Sequence, residues 1–332
     1  MKVKAMPRVL VTPTIIRNIP GPYSETLTRG GLEIVYPPKS CDTMRLENLM
    51  PLLEGVDAML ASVEKLSRDV LSKTKLRAVA RMGVGYDAID VPAATDLGIA
   101  VTITTGTLEQ SVAEHTVAML LGVSRALVQR DREVRAGKWS RAPMPRMAGK
   151  TIGLVGLGRI GRAVVPKMQG LGMKVIGFDP FADKQWAASA GVTLMSLEDL
   201  LKIADVVSLH TTTTPETTNM INTKTLALMK PDAILINTGR GALVDEDALC
   251  AALDRGHLFG AGLDVFKTEP LPLDSKLLKY DNVLVCTHMG GLDQESTVAM
   301  ANLAAQCIVD LFRGQWPDAC IVNRELRDKY KW

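Results

Sequence analysis

Residues Gly153–Pro180 read GLVGLGRIGRAVVPKMQGLGMKVIGFDP, and the task of their glycines decides the fold. Gly156, Gly158 and Gly161 stand at GxGxxG spacing, a string common enough in ordinary turns that only its context carries weight. Here an apolar run, TIGLV, precedes it with strand character, and RIGRAVVPKMQGLG follows with a helical pattern. In such a strand–loop–helix unit each glycine has a job: a tight turn, close backbone approach to a pyrophosphate, and close packing of helix on sheet. The start of the helix adds free N–H groups and partial positive charge, with Arg159 and Ile160 at the phosphate edge. Eighteen residues beyond Gly161, Asp179 ends the next strand, KVIGFD. A carboxylate there accepts hydrogen bonds from the adenosine ribose and repels a 2′-phosphate, which predicts NAD over NADP. A plain strand-end aspartate opening the DP turn would explain Asp179 alone. It would not explain strand, loop, helix, strand and acid in register.

Working outward, a series of strand-like runs continues from this unit: TIGLVGL, KVIGFD, DVVSLH, AILINT, FGAGLDV and NVLVCTH. Six runs with helical patterns between them predict a doubly wound nucleotide-binding domain. A second α/β series fills the chain before it. RVLVTP, LEIVYP, DAMLAS, LRAVAR and IAVTIT are strand-like, with MRLENLMPLLEGV (divided by a proline) and SRDVLSKTK helical between them, so another parallel sheet is expected. The longest helical pattern joins the two series. It runs from Thr107 to Gly137, with Thr107 and Gln110 as a capping box, and a Pro-containing loop follows. ESTVAMANLAAQCIVDLFRG forms a last helix before a short polar tail.

Composition bounds the rest. The chain has 332 residues, enough for about two domains. A 47% hydrophobic and 23% charged makeup is that of a soluble globular protein. Basic residues (39) and acidic residues (36) nearly balance and form no long blocks, which argues against a nucleic acid or a membrane surface as partner. The locally basic Arg125–Arg146 stretch is interrupted by acids and reads as a solvated face or a subunit contact. Five cysteines follow no metal-ligand spacing and read as reduced thiols. MKVKAMPRVLVTPTII is broken by Pro7 and Pro13 and reads as a strand, not a signal peptide; no run reaches membrane-span length. The expected location is the cytoplasm.

A nicotinamide cofactor needs a substrate that exchanges hydride and a group that moves the accompanying proton, a task suited to histidine. Of four histidines, His115 falls inside the long helical pattern and His257 just before a strand, both structural positions by pattern. His210 ends DVVSLH at the cofactor edge, as a strand-end residue or a cofactor contact. His288 ends NVLVCTH before Met289, Gly290 and Gly291, where open α/β sheets place function. Arg240, between glycines past the AILINT strand, offers a guanidinium able to hold a carboxylate bidentately. Asp264 and Glu269 lie at the end of the FGAGLDV strand. A carboxylate beside His288 would orient its ring and favour the imidazolium.

RMGVGYDAID, AEHTVAMLL, GKTIGLVGLGRIG, HTTTTPETTNMIN, NTGRGALVDEDAL, LDVFKTEP and THMGG, in this order, resemble the D-isomer-specific 2-hydroxyacid dehydrogenase family over nearly the whole chain. The resemblance implies two Rossmann/flavodoxin-like doubly wound domains, the NAD domain (105–296) inserted into a substrate domain (1–104 and 297–332). Two subunits would pair through the NAD domains, with the long helix and the Trp139 loop at the contact. Domain closure would exclude water from the substrate, a small 2-hydroxy or 2-keto acid. His288 would exchange the proton, Glu269 would partner it, and Arg240 would bind the substrate carboxylate, with Val84 and Gly85 N–H groups on its other side. Gly156, Gly158, Arg159, Ile160 and Gly161 would lie along the pyrophosphate and Asp179 on the ribose. Thr211, Thr238 and Gly239, with His210, would line the cofactor. Asp264 and Gly290 would sit near its nicotinamide end.

The motifs are nearest those of D-3-phosphoglycerate dehydrogenases, with departures. Ala61 stands where those enzymes carry an arginine for the substrate phosphate, leaving Arg81 as a nearby cation. Thr287 and Thr212 replace prolines beside His288 and His210, and the chain ends at Trp332 without room for a regulatory domain. A small unphosphorylated acid such as glyoxylate or hydroxypyruvate is therefore expected, with phosphoglycerate as the alternative. A different class, an NAD(H)-sensing corepressor-like binding protein, predicts an exposed partner groove and a long disordered tail; IVNRELRDKYKW is short.

Overall fold

The computed structural model describes residues 6–331. Residues up to Leu108 and from Gln294 onward form one compact unit, and Glu109–Asp293 form the other. The second unit thus interrupts the first along the chain.

The first unit alternates β1 (Arg8–Val11), α1 (Pro22–Arg29), β2 (Glu33–Val35), α2 (Leu46–Leu52), β3 (Ala58–Ala61), α3 (Arg68–Leu71), β4 (Ala78–Arg81), α4 (Val91–Asp96) and β5 (Ala100–Ile103). Among the described residues these strands make a five-stranded parallel sheet in the order β2-β1-β3-β4-β5. Val9, Leu10, Val11, Ala58, Met59 and Leu60 are buried regardless of parity, as a sheet covered on both faces requires. Pro51 falls in the last turn of α2 rather than dividing it. Asp90 caps α4 by accepting from Ala93 N–H at 2.9 Å.

The second unit opens with a correction. The single helix expected over 107–137 is two, α5 (Glu109–Ser124) and α6 (Leu127–Arg135), bent by 55°. Ala126 between them takes the left-handed conformation (φ 49°). α5 buries Val112, Ala113, Thr116, Met119, Leu120 and Val123, whereas α6 buries none of its residues. The core-facing stripe ends at the break.

There follow β6 (Thr151–Val155), α7 (Arg159–Gly170), β7 (Lys174–Phe178), α8 (Lys184–Ser189), β8 (Thr193–Leu194), α9 (Leu197–Ile203), β9 (Val206–Leu209), α10 (Thr223–Leu228), β10 (Ala233–Asn237), α11 (Glu246–Asp254), β11 (Leu258–Leu263) and β12 (Val283–Val285). Among the described residues the sheet has seven parallel strands in the order β12-β11-β10-β9-β6-β7-β8, not six. β8 escapes the sequence pattern because only two residues pair, Thr193 with Ile176 and Leu194 with Gly177. Strand order reverses direction between β6 and β9, and the crevice at their carboxyl ends is where such sheets bind ligands. Leu200, Val207, Leu209 and Leu235 form one face of the core; Leu154, Val164, Met168 and Ile236 form the other.

The chain then returns to the first unit through α12 (Gln294–Phe312), which packs against α1. A bridge between Thr102 and Ile321 and the Val101 N–H bond to Asn323 Oδ1 (2.9 Å) fasten the tail beside β5. Met1–Ala5, the start of the expected N-terminal strand, and Trp332 lie outside the described residues. Among the described residues no single helix is long and apolar enough to cross a membrane.

Candidate active site

At the switch point the backbone explains each glycine. Gly156 turns off β6 at φ 98°, and a Cβ there would lie 2.6 Å from the His210 carbonyl oxygen. A Cβ on Gly161 would meet the Gly156 carbonyl, so α7 approaches the loop only because the residue is glycine. Gly158, the N-cap of α7, differs: a Cβ there would meet nothing within 4 Å. Arg159 beside it is exposed and Ile160 half-buried. The space over Gly158, at the N-terminus of a twelve-residue helix, fits a dinucleotide pyrophosphate.

Asp179, one residue past β7, ties into this loop. Its Oδ2 accepts from Leu157 N–H and its Oδ1 from Phe181 N–H, each at 2.8 Å. A carboxylate has about four acceptor sites, so capacity for ribose hydroxyls remains. The pattern gave no hint of Arg162, whose Nε donates to the Leu157 carbonyl at 3.1 Å and whose guanidinium covers the Trp186 ring at 4.4 Å.

His210 follows β9 and forms the wall against Gly156. Its Nε2 lies 2.9 Å from Ser208 Oγ, and its buried Nδ1 has no partner. Burial pushes its pKa down to about 4, so it is neutral at pH 7. Thr211 N–H faces the same glycine.

Beyond β10, Asn237 shapes the next loop, a role that sequence reasoning missed. Fully buried, it accepts from Gly239 N–H (3.1 Å) and donates to the Arg240 carbonyl (2.9 Å). Thr238 Oγ1 sits 3.1 Å from Thr116 Oγ1 on α5. Arg240 Nη1 donates to the Gly239 carbonyl at 2.7 Å. A Cβ on Gly241 would collide with Phe266, which brings the Arg240 loop against the turn that carries Glu269.

Neither His288 nor Glu269 is a strand-end residue, contrary to the sequence reading. β12 stops at Val285 and β11 at Leu263 because the ladder bonds give way to loop bonds centred on Asp264. The Asp264 carbonyl accepts from His288 N–H (2.8 Å), its Oδ1 from Met289 N–H (2.9 Å) and its Oδ2 from Gly290 N–H (2.8 Å). His288 is held at φ 54°, uncommon for a residue with a side chain. Its Nδ1 meets Glu269 Oε2 at 2.7 Å, while Phe266 N–H donates to Oε1 at 2.9 Å. Burial raises the Glu269 pKa, but His288 and the Phe266 N–H outweigh it and hold the carboxyl below its ordinary value.

Asp264 is buried, and its carboxylate faces both the loop and His115, whose Nε2 lies 3.3 Å from Oδ1. Burial raises its pKa, but His115 and the two N–H groups bring it below normal. Asp264 in turn raises the His115 pKa to about 9. In the other unit, Val84 and Gly85 follow β4 after Gly83 (φ 139°) and are half-buried.

Residues 117–290 match the family model described as "D-isomer specific 2-hydroxyacid dehydrogenase, NAD binding domain". The chain belongs to this family. A glyoxylate reductase of Thermofilum pendens is 38% identical over 97% of this chain and 96% of the relative. A D-3-phosphoglycerate dehydrogenase of Methanocaldococcus jannaschii is 40% identical over 81% of this chain, which spans 52% of that relative. Among solved structures, D-lactate dehydrogenase of Aquifex aeolicus, complexed with NAD and lactic acid, has a TM-score of 0.82 and 31% identity, covering 95% of this chain and 98% of that one. The chain is an NAD-dependent D-2-hydroxyacid dehydrogenase, an oxidoreductase acting on CH–OH groups.

Proposed function

We propose that the substrate is a small unphosphorylated 2-keto acid of the glyoxylate or hydroxypyruvate kind, reduced to its 2-hydroxy acid. The observation that carries the chemistry is the 2.7 Å pair of His288 Nδ1 and Glu269. Glu269 occupies Nδ1 and fixes the ring, so Nε2 is the nitrogen that gives the proton to the carbonyl oxygen. Arg240 neutralises the substrate carboxylate, its main-chain carbonyl anchored by Asn237. When bound, NADH supplies the hydride that goes to the carbonyl carbon. Gly156, Gly158, Arg159, Ile160 and Gly161 hold its pyrophosphate, and Asp179 its ribose. His210, Thr211, Thr238, Gly239 and Gly290 line its length. Asp264 acts through the loop that it holds. For Val84 and Gly85 the assignment to the substrate carboxylate rests on the family resemblance.

The end of β3 supports a substrate without a phosphate. Ala61 is buried there and carries no charge, and the neighbouring Arg81 turns its Nη1 onto the Met82 carbonyl at 2.6 Å. NADH oxidation across a panel of 2-keto acids, phosphohydroxypyruvate included, tests this. Glyoxylate or hydroxypyruvate should lead, and His288→Ala should abolish turnover with NADH binding kept. Fastest turnover of the phosphorylated acid would reverse the substrate assignment. Tight NADH binding without turnover of any acid would favour the binding-protein reading.

A homodimer in the cytoplasm completes the proposal. Leu127 and Val134 on α6 and Trp139 beyond it are exposed (57%, 55% and 81%), as an apolar subunit contact requires. The five cysteines are all free, consistent with a reducing compartment. Light scattering on the purified chain should give twice the monomer mass.

A further inference from the structure

Three side chains from separate elements of the NAD unit converge behind the His288 loop: His115 from α5, Asp264 after β11 and Cys286 after β12. One ligand atom of each, imidazole nitrogen, carboxylate oxygen and thiol sulfur, lies within 4.8 Å of the other two. The His115–Asp264 ion pair accounts for two of them. It does not account for the sulfur, and it leaves the buried His115 Nε2 without a hydrogen bond, its contact with Asp264 falling short of that geometry.

We propose that these residues form a binding site for a thiophilic divalent cation of the Zn²⁺ class, independent of the substrate reading above. The 3.3 Å between Nε2 and Oδ1 is the edge of a tetrahedron with metal–ligand bonds of about 2.0 Å, the length zinc takes to nitrogen and oxygen. A thiolate, a carboxylate and a neutral imidazole around a dication sum to zero charge, which suits a site with a buried aspartate. Sulfur and imidazole select zinc or cadmium over magnesium or calcium. Three protein ligands leave a fourth position for water. Asp264 is already oriented by Met289 N–H and Gly290 N–H, and Met119 Sδ, 3.5 Å from Cys286 Sγ, adds a soft neighbour.

Chelator-treated full-length protein titrated with Cd²⁺ tests the site, since cadmium–thiolate bonding produces an ultraviolet charge-transfer band. One equivalent should bind with that band, and Zn²⁺ should displace it. Cys286→Ser should remove the band, and its Zn²⁺ affinity by equilibrium dialysis should fall by more than the roughly 100-fold that loss of a supporting outer-shell partner alone can cost. His115→Gln should weaken Zn²⁺ similarly. NADH binding and the melting temperature report whether each variant is folded. Absence of the band in the parent protein, or unchanged Zn²⁺ affinity in either folded variant, overturns the proposal.

Discussion

Glu269→Gln is the sharpest test of the acid–base pair. The substitution preserves size and leaves an oxygen to accept from Phe266 N–H, so the 266–269 turn should stay as it is. What it removes is the negative charge 2.7 Å from His288 Nδ1. A hydrogen bond to a charged group contributes about 1.5–3 kcal/mol. The two side chains are 37% and 35% exposed, so solvent screening puts this pair at the lower end. About 1.5 kcal/mol corresponds to a roughly tenfold loss of kcat/KM for 2-keto acid reduction, because the ring loses the charged partner that orients it. NADH oxidation at limiting keto acid measures that loss, and fluorescence titration with NADH supplies the control. A kcat/KM within twofold of the parent would refute the pairing argument. So would a tenfold loss matched by an equal loss of NADH affinity, because that would place Glu269 in cofactor binding.

Other expectations follow from the same geometry. Gly161→Ala should lower stability by about 1–3 kcal/mol, since its Cβ meets the Gly156 carbonyl; Gly158→Ala should leave the urea midpoint nearly unchanged and weaken NADH, as its Cβ enters open space. Asp264→Asn cannot accept from both Met289 and Gly290 N–H and loses the His115 charge contact. A cost of roughly 2 kcal/mol is expected, and urea titration checks it. For His210 the folded pKa lies at about 4 against an ordinary 6.5, so its contribution is intact above pH 6.5 and is lost as pH falls towards 4. The unfolded chain takes up the proton first, and at most about 2 kcal/mol should be lost by pH 5. His210→Gln should flatten that slope in urea midpoints taken at pH 7 and pH 5.

The glycine loop and Asp179 were legible because their logic is local: a strand, three glycines at fixed spacing, a helix and an acid all fall within one βαβ unit. His288, Glu269 and Arg240 were legible as residue types near strand ends, but not as geometry. The strands stop short of His288 and Glu269, and one buried aspartate organises the intervening backbone. No pattern announces that, because a carboxylate accepting two main-chain N–H groups resembles any other aspartate in sequence. The break at Ala126 was hidden by alanine's high helix propensity, although the burst of charge in QRDREVR marked the loss of the buried stripe. His115 was read as a core residue from its place in a helix. Its neighbours Asp264 and Cys286 arrive from two other strands, and only the topology brings them there.

The left-handed backbone at His288 separates the seat from its occupant. The seat is made of main-chain N–H groups gripping Asp264, so exchanging the imidazole leaves it standing, and a residue such as asparagine, which tolerates that conformation, would suit it. A single codon change could therefore silence turnover while the nucleotide cleft persists. Catalysts and mute nucleotide sensors built on this scaffold stand one substitution apart.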